Sequence, residues 1–175
     1  MRCSIRSTGR PFRSGIQLKK GIYANFQVSC ANLPHTAGQG SSIGYRFEHL
    51  AAILERIRNM DRAGVRLDTC HLFAAGYNIR TADGYAETLR EFDRLIGLGK
   101  ISAFHLNDSK KELGSRVDRY FHIGRGFIGL NAFRFLLNDK RFVAIPKILE
   151  TPKGTGIEKD LMNLATLKSL ISNFS

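Results

Sequence analysis

No acidic residue occurs among the first 47 positions; the first is Glu48. Residues 1–34 carry six basic side chains (Arg2, Arg6, Arg10, Arg13, Lys19, Lys20), half of the formal net charge of +12. A basic surface favours polyanions, nucleic acid first, by releasing condensed counterions. The uneven distribution nevertheless excludes an argument for DNA binding from the total charge alone. No apolar run approaches the ~20 residues that a membrane helix needs, so no membrane partner is expected. Cysteine is sparse: Cys3, Cys30 and Cys70 are odd in number and form no Cys-x-x-Cys pair. This excludes a disulfide framework and a Cys-rich zinc knuckle, and it fits a reducing compartment, the cytoplasm. At 175 residues the chain has room for one domain with a real core and not for two large ones.

Residues 1–34 form a basic leader with no clean helical or alternating period. The Arg/Ser-rich start offers an organelle transit peptide as the alternative localisation, although Gly9 and Pro11 interrupt the amphipathic helix such peptides use. Gly21–Leu33 is apolar enough to supply a strand. The remainder, 35–175, reads as alternating strands and helices. His35 to Ser42 is a small-residue loop. Phe47, Leu50, Ala51, Ile53, Leu54 and Ile57 share one face of a first helix. Val65–Leu67 is a strand that gives way to a loop at Asp68-Thr69-Cys70-His71. A second helix spans Asp83–Ile96, and Ile101–Phe104 is a strand ending at His105. Ser109–Ile128 is a long, glycine-punctuated loop, a length that is more often functional than idle. Asn131–Leu137 is a short helix, Val143–Leu149 a strand ending at Glu150, and Ile157–Ile171 a closing helix carrying Leu161, Leu164, Leu167 and Leu170.

Three predicted strands therefore end in a metal-binding side chain: Asp68, His105 and Glu150. The intervals of 37 and 45 residues suit successive strand–helix units of a parallel α/β fold. In a parallel barrel the C-terminal strand ends share one face, so residues distant in sequence converge there. Carboxylate and imidazole together suit zinc or a similar divalent ion. Each residue also has a plainer reading, since an Asp at a strand end is usually a turn former or helix cap.

Five motifs in order then become recognisable. They are Thr36-Ala37-Gly38-Gln39-Gly40-Ser41; Leu67-Asp68-Thr69-Cys70-His71 with Phe73-Ala74-Ala75-Gly76-Tyr77; His105-Leu106-Asn107-Asp108-Ser109-Lys110; Gly114-Ser115-Arg116-Val117-Asp118-Arg119; and Leu149-Glu150-Thr151-Pro152. Over about residues 35–172 the chain resembles the endonuclease IV family of apurinic/apyrimidinic endonucleases. The resemblance implies the C-terminal half of a TIM (β/α)8 barrel, with parallel strands and outer helices. It also implies a monomer that uses zinc, three ions in the family, to hydrolyse the phosphodiester 5′ to an abasic site in DNA.

Position by position, the resemblance assigns Asp68, His105 and Glu150 to one zinc and makes them catalytic through the metal. It assigns His71 and Asp118 to a second ion. The residue that bridges two ions in the family is Pro34 here, and the second ion's third ligand, a histidine, is Tyr120. Tyr120 and His122 are the candidate compensating ligands. Arg116 and Arg119 are the candidate DNA contacts, with a solvated loop paired to Asp118 as the plainer reading. Lys110 and Lys111 read as surface charge, Cys70 as a small buried residue, Gly124-Arg125-Gly126 as a turn, and Phe47, Phe92, Phe133 and Phe135 as core. The expected protein is an enzyme impaired by truncation and lost ligands, a remnant of a longer one. A non-catalytic DNA-binding remnant and a sugar isomerase-like TIM barrel are the alternatives.

Overall fold

The computed structural model describes residues 31–57 and 63–172. Most of the leader, including residues 21–30 of the strand expected over Gly21–Leu33, lies outside the described residues. The elements run β1 (Ala31–Pro34), α1 (Phe47–Leu54), β2 (Ala63–Asp68), α2 (Thr69–Ala75), α3 (Ala82–Leu95), β3 (Ile101–Leu106), β4 (Asp108–Ser109), β5 (Tyr120–Phe121), α4 (Leu130–Asn138), β6 (Lys147–Leu149) and α5 (Glu158–Ser169).

β1, β2, β3 and β6 form a parallel sheet in that order. Helices intervene between successive strands of the sheet, as parallel pairing requires. Val65 and Leu67 of β2, with Phe104 and Leu106 of β3, are fully buried. They meet Phe47, Leu50 and Leu54 of α1, Leu89 and Phe92 of α3, Ala132, Phe133 and Leu136 of α4, and Leu167 near the end of α5 in one apolar cluster. Burying each such large side chain contributes about 1.5–3 kcal/mol. α3 packs against both α1 and α4, and α4 against α5, so the helices follow the strand order around the outside. This is the arc of a partial TIM barrel. Among the described residues no helix is long and apolar enough to cross a membrane.

The register places the site. Asp68 pairs with His105, His105 with Ile148, and Leu106 with Leu149. The Glu150 N–H then donates to the Leu106 carbonyl at 3.1 Å. Three strands therefore deliver Asp68, His105 and Glu150 to the same C-terminal edge.

Five expectations need correction. The segment after Asp68 is a helix, not a loop: the Asp68 side chain accepts from the His71 N–H and caps α2, while Gly76 closes it at φ 107°, a left-handed conformation that suits glycine. The strand expected over Val143–Leu149 is confined to Lys147–Leu149. Pro146 cannot donate to a ladder, Lys140–Phe142 instead form a single 3-10 turn, and Val143 is exposed. The long loop after Ser109 is folded back on itself by the antiparallel pair β4–β5. Leu161 faces solvent while Leu164, Leu167 and Leu170 are buried, and Phe135 is only half-buried, tilted against Tyr85 at 5.8 Å.

Candidate metal centre

β2 ends on Asp68, β3 on Leu106 just past His105, and β6 on Leu149 just before Glu150. One ligand atom from each of Asp68, His105 and Glu150 lies within 4.8 Å of the others. His105 Nδ1 is in direct hydrogen-bond contact with Glu150 Oε2. That bond is the main reason the Glu150 carboxyl sits below its usual range. Asp68 differs. It is only 3% exposed, and burial pushes its carboxyl up against the pull of His71 and the hydrogen bonds it accepts. A desolvated carboxylate between two other donors gains most from a cation. Two carboxylates and an imidazole converging from three strand ends are a donor set that fits zinc.

Asp68 is held by a buried network spanning 38–39 residues of sequence. Asn107 Nδ2 donates to Asp68 Oδ2 at 2.9 Å, and Asn107 Oδ1 accepts from the Cys70 N–H at 3.1 Å. Thr69 Oγ1 donates to the Asn107 carbonyl at 2.6 Å and accepts from its N–H at 3.0 Å. Sequence reasoning missed Asn107 and Thr69 as site residues. Both sit inside a recognised motif, but no spacing rule shows that Asn107 reaches back to Asp68.

Beside this triad stands a second cluster. His71 Nδ1 bonds the His35 carbonyl at 2.7 Å; with Nδ1 as donor, Nε2 turns to the site. Nε2 lies 3.1 Å from Asp118 Oδ2 and 3.1 Å from the Tyr120 hydroxyl. That hydroxyl donates to Asp68 Oδ2 at 3.3 Å. Burial alone would lower the His71 pKa, but the Asp118 hydrogen bond, the Asp68 charge and the His35 carbonyl together raise it to about 9. Burial and the three carboxylates around Tyr120 raise its phenol above the usual value.

The two compensating candidates therefore separate. Tyr120 enters the cluster; His122 turns away, with Nδ1 accepting from Asn163 Nδ2 at 3.0 Å. Pro34 is exposed and offers no side-chain donor. His35 does not replace it: its ring is buried against Phe47 and Tyr77, centroids 5.6 and 5.8 Å away, and neither ring nitrogen has a partner. Cys70 is buried outside the ligand group, and burial pushes its thiol up to about 12.

The family model described as xylose isomerase-like TIM barrel matches residues 31–168. The chain belongs to that family. A probable endonuclease 4 of Chloroflexus aurantiacus is 54% identical over 154 residues, 88% of this chain and 53% of the relative. Another, of Chloroflexus aggregans, is 60% identical over 139 residues, 79% of this chain and 49% of the relative. The crystal structure of endonuclease IV from Thermus thermophilus superposes with a TM-score of 0.68 at 39% identity, covering 78% of this chain and 48% of that one. These relatives put the chain on the endonuclease IV branch of the family. It spans about half the length of the curated relatives it matches.

Within this endonuclease IV-type half-barrel, the loop bearing Asp118 and Tyr120 is pinned from two sides. Gly114 N–H donates to the Phe73 carbonyl at 3.0 Å and Arg116 N–H to the Ala74 carbonyl at 2.9 Å, tying the loop to α2. Arg116 adopts φ 54°, the sole positive φ at a non-glycine among the described residues. That conformation is held in place by its surroundings, and its guanidinium stacks 4.8 Å from the Tyr45 ring centroid. Arg119 is exposed and donates to the Asp118 carbonyl at 2.7 Å rather than to its carboxylate. Both arginines remain on the rim of the site. Lys110 lies over the Phe121 ring at 5.1 Å, and Lys111 is exposed.

The far end of the same loop is gathered by Asp108, which sequence reasoning also passed over. Its Oδ1 accepts from Ser109 (2.8 Å) and Ile128 (2.9 Å), and its Oδ2 from Gly126 (3.1 Å) and Gly129 (3.3 Å). Gly126 must be glycine here, because a Cβ would stand 2.3 Å from the Ser109 carbonyl oxygen.

Proposed function

We propose that this chain carries a divalent-metal site, preferentially zinc, and acts on DNA as an endonuclease IV-type enzyme, hydrolysing the phosphodiester 5′ to an abasic site. The observation that supports this most is the convergence of Asp68, His105 and Glu150 at one strand-end edge, with ligand atoms within 4.8 Å of each other. A bound zinc would polarise a phosphate oxygen and lower the pKa of a coordinated water. Asp68, His105 and Glu150 would hold it; Asn107 fixes the orientation of Asp68, as partners behind metal ligands do. Arg116 and Arg119, on the rim, are suited to charge-assisted contacts with the backbone phosphates flanking the lesion. The names of the relatives favour endonuclease chemistry over sugar isomerisation. We place the protein in the cytoplasm, in keeping with its bacterial relatives.

The test is a duplex carrying one abasic-site analogue, incubated with the purified protein with and without a chelator. Chelator-sensitive incision 5′ to the analogue is the expected result. Retention of the duplex in a gel shift without incision would replace the enzyme with a DNA-binding protein, and neither binding nor incision would remove DNA from the account.

A further inference from the structure

Resting on that reading, we propose that this chain holds one divalent cation and not two, because the Tyr120 hydroxyl occupies with hydrogen bonds the place beside the triad where a second ion would sit. His71 Nε2, Asp118 Oδ2 and the Tyr120 hydroxyl form a second group of potential donors, the two oxygens each 3.1 Å from Nε2. That grouping alone invites a second ion. Two features of the chain argue otherwise.

The first is the capacity of Asp68. Each carboxylate oxygen has two lone-pair directions. Oδ2 already accepts from Asn107 at 2.9 Å and from Tyr120 at 3.3 Å, whereas Oδ1 accepts only the His71 N–H at 3.0 Å. Asp68 thus has one direction left, enough for the cation it would share with His105 and Glu150 and none for bridging to a neighbour. The second is ligand count. Catalytic zinc takes three protein ligands, and without Tyr120 the second group has two. Tyr120 instead bonds both Asp68 and His71, bracing the triad's buried carboxylate against the loop that carries Asp118. Tyr120 is here a positioning residue.

The experiment counts zinc per folded chain by native mass spectrometry of the whole protein. A parallel cobalt(II) titration follows the visible absorption. The wild-type chain should retain one zinc, and the cobalt signal should saturate at one equivalent. Tyr120→Phe, which keeps the ring and removes the oxygen, should leave the count at one. Tyr120→His, which supplies a third protein ligand, should raise it to two. A wild-type count of two that falls to one in Tyr120→Phe would overturn the proposal by making the hydroxyl a ligand. A count that stays at one in Tyr120→His would equally overturn it, since the hydroxyl would not be what excludes the second ion. A count of zero in the wild type would overturn the metal reading itself, and is distinguishable from both.

Discussion

Asp108 offers the sharpest test of how the fold supports the site. The substitution is Asp108→Asn, which preserves shape and replaces one carboxylate oxygen by an NH2 group. In the native chain four backbone N–H groups (Ser109, Gly126, Ile128 and Gly129) converge on the two oxygens at 2.8–3.3 Å. The amide can satisfy the two at its oxygen. The other two then face an NH2 donor in a site where Asp108 is fully buried. Losing two hydrogen bonds to a charged group costs about 1.5–3 kcal/mol each, and the orphaned N–H groups cannot recover that from water. The expected destabilisation is about 3–6 kcal/mol, a large share of the ~5–15 kcal/mol of a typical domain. Urea unfolding of wild type and variant measures it. Amide hydrogen exchange should show protection lost at one pair, Gly126 with Gly129 or Ser109 with Ile128, before the strands β2 and β3 open. A destabilisation under about 1 kcal/mol with unchanged exchange at those amides would refute the claim that this carboxylate gathers the loop.

Other consequences follow from the buried polar groups. His35 has its pKa lowered to about 3, chiefly by burial and then by the His71 charge. Its unfolded value is about 6.5, so the unfolded chain binds the extra proton and native stability is lost as pH falls from about 6.5 toward about 3. His35→Leu should flatten that acid limb by up to about 1.4 kcal/mol per pH unit in thermal melts across the window; parallel curves would count against it. Gly126→Ala should disturb the same loop as Asp108→Asn, because the added Cβ meets backbone at 2.3 Å; an unchanged melt would show that the loop gives way freely. The Cys70 thiol, pushed up to about 12, should stay unmodified by a thiol reagent at about pH 8 in native protein and react after unfolding, as peptide mass mapping would show.

How much of this was legible in the sequence depends on the range of the interaction. β2, β3 and the convergence of three strand-end polar side chains could be read because an apolar run followed by Asp68, His105 or Glu150 is a local signal repeated at intervals suited to a strand–helix unit. The α2 helix was legible in principle: Asp68 as cap and Gly76 as terminator bracket seven residues, but a strand leading straight into a helix looks like a strand running into a loop. Pro146 was the overlooked warning against a long sixth strand. The polar supports were not legible. Asn107 on Asp68 and Asp108 on Gly126, Ile128 and Gly129 are contacts between residues 18 to 39 apart, and their residue types alone are those of ordinary turn formers. Tyr120, at the matching position, and His122, two residues on, were both candidates in the sequence. The hairpin β4–β5 sets Tyr120 opposite Ser109, in the cluster, while Asn163 of α5 takes His122.

The central claim is that Asp68, His105 and Glu150 together grip a cation, and a zinc competition titration against a chromophoric chelator tests it most directly. Asp68→Asn and Glu150→Gln, each confirmed as folded by a thermal melt, should weaken zinc binding by more than about 100-fold, beyond the effect of losing a mere partner of a ligand. Zinc affinity in both variants equal to that of the wild-type chain would contradict the account, whatever the protein then did with DNA.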